Sequence, residues 1–213
     1  MSENLKMPSI MQSIKPQYCE LIASGKKTIE VRKTKPKIPT PFKVYIYQTK
    51  HSWIYNIYSK IADWQGKVIG EYVCNKIDKM SHCGNCSNDI KLRLLDKYFC
   101  AKDLDWEYLN NCRLSYADLV EYSNSGNIYG WHISDLKIYD KPKELSEFYV
   151  VDNEAVKQCE YRNKCYINPY LTNGGWLNGT YSCSYNGEHE FCTKCKVKPL
   201  TRPPQSWCYI EEV

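Results

Sequence analysis

Long apolar runs are missing from this chain. No stretch approaches the roughly 18 apolar residues that a membrane-spanning helix requires, so a spanning helix is not expected. The first residues, MSENLKMPSI, lack a basic start, an apolar h-region and a small-residue cleavage site, so a secretory leader is not expected either. Tandem repeats and low-complexity segments are absent too, which argues against a solenoid or a biased tail. Together these absences lead us to expect a cytoplasmic protein with no membrane partner. In a reducing compartment its 12 cysteines should not form a disulfide framework. They are then metal ligands, buried thiols or a mixture. For the same reason the sequon Asn178-Gly179-Thr180 carries no expectation of glycosylation.

What is present is an ordinary globular balance of apolar and charged residues over 213 positions. That length suits one large domain, or one of about 150 residues with an appendage. Tyrosine is abundant, at 19 residues, and its ring and hydroxyl suit cores, interfaces and stacking surfaces alike. The basic charge is concentrated. Between Ser24 and Lys43 lie Lys26, Lys27, Arg32, Lys33, Lys35, Lys37 and Lys43, opposed only by Glu30. The chain's net charge is +5, so this one stretch more than accounts for it. A local positive patch on a balanced protein favours a phosphate-bearing partner; a solvated lysine face is the plainer alternative.

Periodicity predicts a strand over Ile10 to Ile14, then a helix opened by Pro16, with Tyr18, Leu21 and Ile22 on one face. Gly25 is placed to end that helix in the left-handed conformation. Strands are predicted over Thr28 to Arg32, Phe42 to Thr49, Lys67 to Ile77 and Tyr129 to Tyr139, the last ended by Pro142. Helices are predicted over His51 to Trp64, Asp89 to Phe99, Leu104 to Asn110 and Ser115 to Tyr122. Ser115 caps the last of these, with Asp118 three residues on. Regular periodicity fades near residue 150, where cysteine, glycine and asparagine take over. This divides the chain into a domain over 8–150 and an extension over 151–213. Within the extension, Ser206 to Ile210 alternates after Pro203-Pro204 as a final strand expected to close a barrel.

The segment Leu21 to Lys33, LIASGKKTIEVRK, carries the most specific pattern. A helix ends at a glycine, basic residues follow, and a strand then sends alternate side chains to opposite faces. Ile29 and Val31 should face the core, with Glu30 and Arg32 on the other face. A carboxylate beside a guanidinium can orient it for bidentate contact with a phosphate or a base edge.

This segment resembles the signature of the ASCH family. So do Ser13-Ile14-Lys15-Pro16, Gly66-Lys67-Val68-Ile69-Gly70-Glu71 and Tyr129-Gly130-Trp131-His132-Ile133, all in the family's order. The cysteine-rich tail with Pro199-Leu200-Thr201-Arg202-Pro203-Pro204-Gln205-Ser206-Trp207 resembles longer members carried by phages and prophages. The resemblance implies an α+β fold: a PUA-like mixed β-barrel with flanking helices, here with a small irregular extension. It also implies a phage origin, with the cytoplasm of a bacterial host as the location, and an RNA or nucleotide ligand. By position, the ligand-binding residues are Lys26, Lys27, Glu30 and Arg32. Trp131 or Tyr129 could stack a base.

Three functions follow from that resemblance. One is binding of RNA or a small nucleotide at the basic pocket. Another is hydrolysis, either of a modified nucleoside, as by the family's amidohydrolases, or of RNA; Lys27 and Glu30 would then be catalytic. Glu30, however, stands where those amidohydrolases carry threonine, and their later glutamate has no counterpart here. The third is sequestration of a host nucleotide signal. For His132, packing and hydrogen bonding is the plainer expectation.

Among the cysteines, Cys159, Cys165, Cys192 and Cys195 could make one tetrahedral structural zinc site, with Cys183 or His189 as substitutes. A tail with little core gives such a staple a physical purpose. Cys83 and Cys86, beside His82, form a second CxxC whose other ligands are not apparent. A thioredoxin-like context for redox chemistry is missing.

Overall fold

A computed structural model of the chain describes residues 7–50, 59–82, 90–94, 97–100, 106–124, 126–151 and 197–211. The fold is α+β, with a large mixed sheet and few, short helices. In chain order the described elements begin with β1 (Ser9–Ile14), α1 (Pro16–Ala23), β2 (Ile29–Arg32), β3 (Phe42–Gln48) and β4 (Val68–His82). They continue with β5 (Ile90–Leu94), β6 (Lys97–Cys100), α2 (Trp106–Cys112), α3 (Tyr116–Ser123) and β7 (Ile128–Lys143). The short strands β8 (Tyr149–Val151), β9 (Val197–Pro199) and β10 (Trp207–Ile210) complete the set.

The sheet is eight-stranded and runs β10-β1-β3-β4-β5-β6, with β7 also paired to β4 and β2 beyond β7. β1 and β3 are parallel, which the crossover through α1 and β2 makes possible. The other pairs are antiparallel. The final strand β10 returns to β1, placing Ser9 opposite Ile210 and Gln12 opposite Trp207. β8 and β9 form a separate two-stranded ribbon.

The sheet curls until β2 approaches β1. Side chains bridge this gap. The Arg32 guanidinium donates to the Ser13 carbonyl at 2.6 Å. Trp207 Nε1 donates to Thr34 Oγ1 at 2.9 Å, and the Lys37 amide donates to the Tyr209 hydroxyl at 2.9 Å. Among the described residues no backbone ladder joins β2 to β1 or β10, so the expected barrel is a curled sheet with a side-chain seam.

Its interior is packed by Ile10, Ile14, Phe42, Val44, Ile46 and Trp131, with Ile22 of α1 against them. A second cluster fills the outer side of β2 and β7, where Ile29, Val31 and Ile128 meet Tyr108, Cys112 and Leu119 of α2 and α3. β2 is therefore covered on both faces, and all four of its residues are buried. A third cluster, including Met11, Tyr45 and Phe148, covers the outer side of β1 and β3.

Several predicted elements form as expected. Pro16 opens α1, and Gly25 follows it at φ +71°, in the left-handed region. Ser115 caps α3 in a reciprocal box with Asp118. Three expectations are corrected. Residues 90–94 and 97–100 form the antiparallel strand pair β5–β6 in place of a helix. Ile90, Leu92 and Leu94 alternate with Lys91 and Arg93, which is the period of a strand. Residues 59–63 form bends and turns where the end of a helix was expected; residues 51–58 lie outside the described ones. Pro142 sits inside β7, which runs on to Lys143.

Candidate functional site

The turn after α1 aims Lys27 inward. The Gly25 amide donates to Ile22 O, and the Lys27 amide to Leu21 O, so the chain reverses within three residues. The α2–α3 connection pins the turn from outside. Arg113 Nε donates to the Lys26 carbonyl at 2.8 Å, and the Thr28 amide donates to Asn111 O. Lys26 itself is exposed, at the rim of a groove of about 650 Å³ between α1 and residues 59–61.

Lys27, Glu30 and Arg32 form one buried cluster. Lys27 Nζ lies 3.3 Å from Glu30 Oε2, and Arg32 lies 3.1 Å from Glu30 Oε1. Their relative exposures are only 2%, 5% and 8%. Lys27 also donates to the Cys112 carbonyl at 2.5 Å, and its ammonium sits 5.2 Å from the Tyr18 ring centroid. Two cations against one carboxylate leave a net positive charge out of water, a costly arrangement unless acceptors surround it.

Around the cluster, buried N–H groups have no protein acceptor: Arg32 Nε, Gln12 Nε2 and Trp131 Nε1. These groups share the interior face. Trp131 stands opposite Glu30 in the β2–β7 pair. Gln12 accepts from the Tyr72 hydroxyl at 2.9 Å. Burial above all, and then Cys74 and Glu30, hold that hydroxyl's pKa well above the ordinary tyrosine value. Buried donors without partners are uncommon in folded proteins and are expensive to leave so.

Two tyrosines stand at either end of the cluster. Tyr18 of α1 is at the Lys27 end. Tyr122 of α3 is 37% exposed, with the ammonium of Lys33, the residue after Arg32, 5.1 Å from its ring centroid. Burial raises the Tyr18 hydroxyl, and the negative charges of Glu30 and Asp118 raise it further. Burial likewise raises Tyr122, opposed by Arg32 and reinforced by Glu30. Both phenols thus lie in the field of the buried cluster.

Strand parity puts Glu30 and Arg32 on one face and Lys27 on the other, with Ile29 and Val31; the resemblance groups all three, and the turn before β2 brings Lys27 to the Glu30 side. Trp131 is placed in the core, fully buried and edge-on to Phe42 with centroids 5.6 Å apart. His132 is packed and hydrogen-bonded, its Nε2 lying 2.5 Å from Asp78 Oδ2. Lys76 reaches the other Asp78 oxygen at 2.9 Å. The proposed zinc ligands Cys159, Cys165, Cys192 and Cys195 lie outside the described residues, as do Cys83, Cys86, Cys183 and His189. Among the described residues no group of three or more His, Cys, Asp or Glu could hold a metal. Cys74 and Cys112 are pushed by burial to about 12, so those thiols stay protonated and are poor nucleophiles.

Sequence reasoning missed Gln12, Tyr18, Tyr122 and Asp78. The one available signal was the parity of Gln12, which falls with Ile10 and Ile14 on the inner face of β1.

No family model and no curated protein matches the chain. Among solved structures it is similar to the crystal structure of ASCH from Zymomonas mobilis, at 15% identity and TM-score 0.47 over 96% of this chain and 89% of that one. It is similar also to a tyrosine-to-phenylalanine mutant of that protein, at 14% identity and TM-score 0.48 over 96% and 91%.

Proposed function

We propose that this chain binds RNA or a nucleotide through a PUA-like, ASCH-type site centred on Lys27, Glu30 and Arg32. The observation that carries the reading is the buried cluster with excess positive charge, whose own Arg32 Nε lacks an acceptor, as do Gln12 Nε2 and Trp131 Nε1 on the same face. A ligand bringing acceptors, whether phosphate oxygens or base carbonyls, would pair both the charge and the donors. Lys26 would act at the rim. Trp131 would act by holding the floor beneath Glu30. The sequence resemblance to ASCH proteins points the same way.

Binding is favoured over hydrolysis by the state of Glu30. Each of its oxygens is held by a cation and the side chain is buried, so its role is to align Lys27 and Arg32, and the paired carboxylate is a weak base for water. Sequestration of a host nucleotide signal is the small-ligand form of the same binding reading.

The test is calorimetric titration of nucleoside monophosphates and a short RNA into the native chain, Arg32→Met and Lys27→Met, each checked by thermal melting. Binding by the native chain, lost in folded variants, is the expected result. Unchanged binding in both variants would overturn the site. Release of product from an acetylated nucleoside would overturn the preference for binding.

A further inference from the structure

The segment that follows the buried cluster has a regular composition of exposed charge. Lys33, Lys35 and Lys37 are exposed, whereas Pro36 and Ile38 between and beyond them are buried. This loop is held from both sides. Trp207 donates to Thr34 Oγ1, and Tyr209 accepts from the Lys37 amide, so β10 fixes it against the sheet seam. Three lysines are thus carried on a braced segment that begins beside the Glu30–Arg32 pair. At that same point stands Tyr122, with Lys33 against its ring, while Tyr18 stands at the Lys27 end.

An aromatic edge beside buried cations, continued by a fixed row of ammonium groups, is suited to a chain of alternating rings and phosphates. We infer that the ligand is a single-stranded nucleic acid, one base resting against Tyr18 and Tyr122 over the cluster and the adjoining phosphates running along Lys33, Lys35 and Lys37. This rests on the binding reading above and adds the form of the ligand and residues outside the cluster. A duplex keeps its base faces stacked and offers only its backbone to the lysines, so it lacks the stacking contribution. A mononucleotide reaches the tyrosines and the cluster but leaves most of the lysine row unused.

The test uses a fluorescent mixed-sequence 12-mer RNA and its duplex, titrated into the full chain by anisotropy from 50 to 300 mM salt. The single strand should bind at least tenfold more tightly than the duplex. The affinity should fall with salt at a log–log slope about 2 units steeper for the native chain than for Lys33→Gln/Lys35→Gln/Lys37→Gln, about 0.7 per phosphate contacted. Tyr122→Ala should weaken the single strand roughly tenfold with an unchanged slope, and Tyr122→Phe should retain it, because the ring and not the hydroxyl makes the contact. These lysines and Tyr122 are surface residues, so the variants should fold, and melting curves verify that.

Equal binding of duplex and single strand, an unchanged slope in the triple variant, or equal binding of polyglutamate would overturn the inference. Should mononucleotides bind through Lys27 and Arg32 while the lysine and Tyr122 variants behave as native, this inference fails and the binding reading stands. If no nucleotide or nucleic acid binds, both fail.

Discussion

Glu30→Gln is the most informative single change. The carboxylate is the counter-ion the cluster presents to both Lys27 and Arg32, at 3.3 and 3.1 Å, with all three side chains nearly inaccessible. Replacing it by a neutral isostere leaves two cations facing each other in the interior. Removing one partner of a buried pair costs about 3–5 kcal/mol. For a chain of this size that is a fall of roughly 10 °C in melting temperature. Lys27→Met should cost less. It leaves Glu30 paired with Arg32 and mainly deprives the Cys112 carbonyl of a donor, a loss of about 1–3 kcal/mol. The two changes should also couple, since Lys27→Met removes one of the cations that Glu30→Gln would strand. Urea denaturation of the two single variants and the double variant reads both quantities. A Glu30→Gln loss below about 1 kcal/mol, or one no larger than that of Lys27→Met, would refute the idea of a buried excess positive charge.

Three further outcomes are expected. A Cβ at position 130 would overlap the Tyr108 hydroxyl oxygen, so Gly130→Ala should cost about 1–3 kcal/mol. Adding Tyr108→Phe should recover most of that loss, and no recovery in a double-mutant denaturation would contradict the packing. Burial pushes the Asp78 carboxyl up, but the hydrogen bonds and charges of His132 and Lys76 outweigh it and hold the group below its ordinary value. That contribution to stability is complete above the unfolded value of about 3.9 and vanishes as pH falls through the lower folded value. The melting gap between native and Asp78→Asn should therefore close between about pH 5 and 2, and a gap independent of pH would contradict it. For the tail we propose a zinc site at Cys159, Cys165, Cys192 and Cys195. Elemental analysis should find about one zinc per chain, released by Cys192→Ser, whereas a metal-free chain with an unchanged melting curve would count against it.

Local signals carried the first third of the chain. Pro16, the Tyr18–Leu21–Ile22 spacing and Gly25 mark α1, and strand parity sets Glu30 and Arg32 on a face away from Ile29 and Val31. Parity could not show that both faces are covered. The cover comes from α2 and α3, some 80 residues on in the chain, and from a sheet curl that side chains close. The β5–β6 pair escapes a local reading because Ile90, Leu94 and Tyr98 also fit a helical spacing, and a short segment cannot arbitrate between the two periods. Tyr18 and Tyr122 are invisible in the sequence for another reason. With 19 tyrosines in the chain, only a fold that brings α1 beside α3 distinguishes these two.

Where the ligand sits is the central question, and photocrosslinking answers it without disturbing the buried charges. A 12-mer RNA carrying 4-thiouridine would be bound to the native chain, irradiated, digested and mapped by mass spectrometry. Crosslinks on the peptides containing Tyr18, Tyr122 or Lys33 to Lys37 are the expected result. Crosslinks confined to surfaces away from α1, α3 and the loop after β2 would contradict the site.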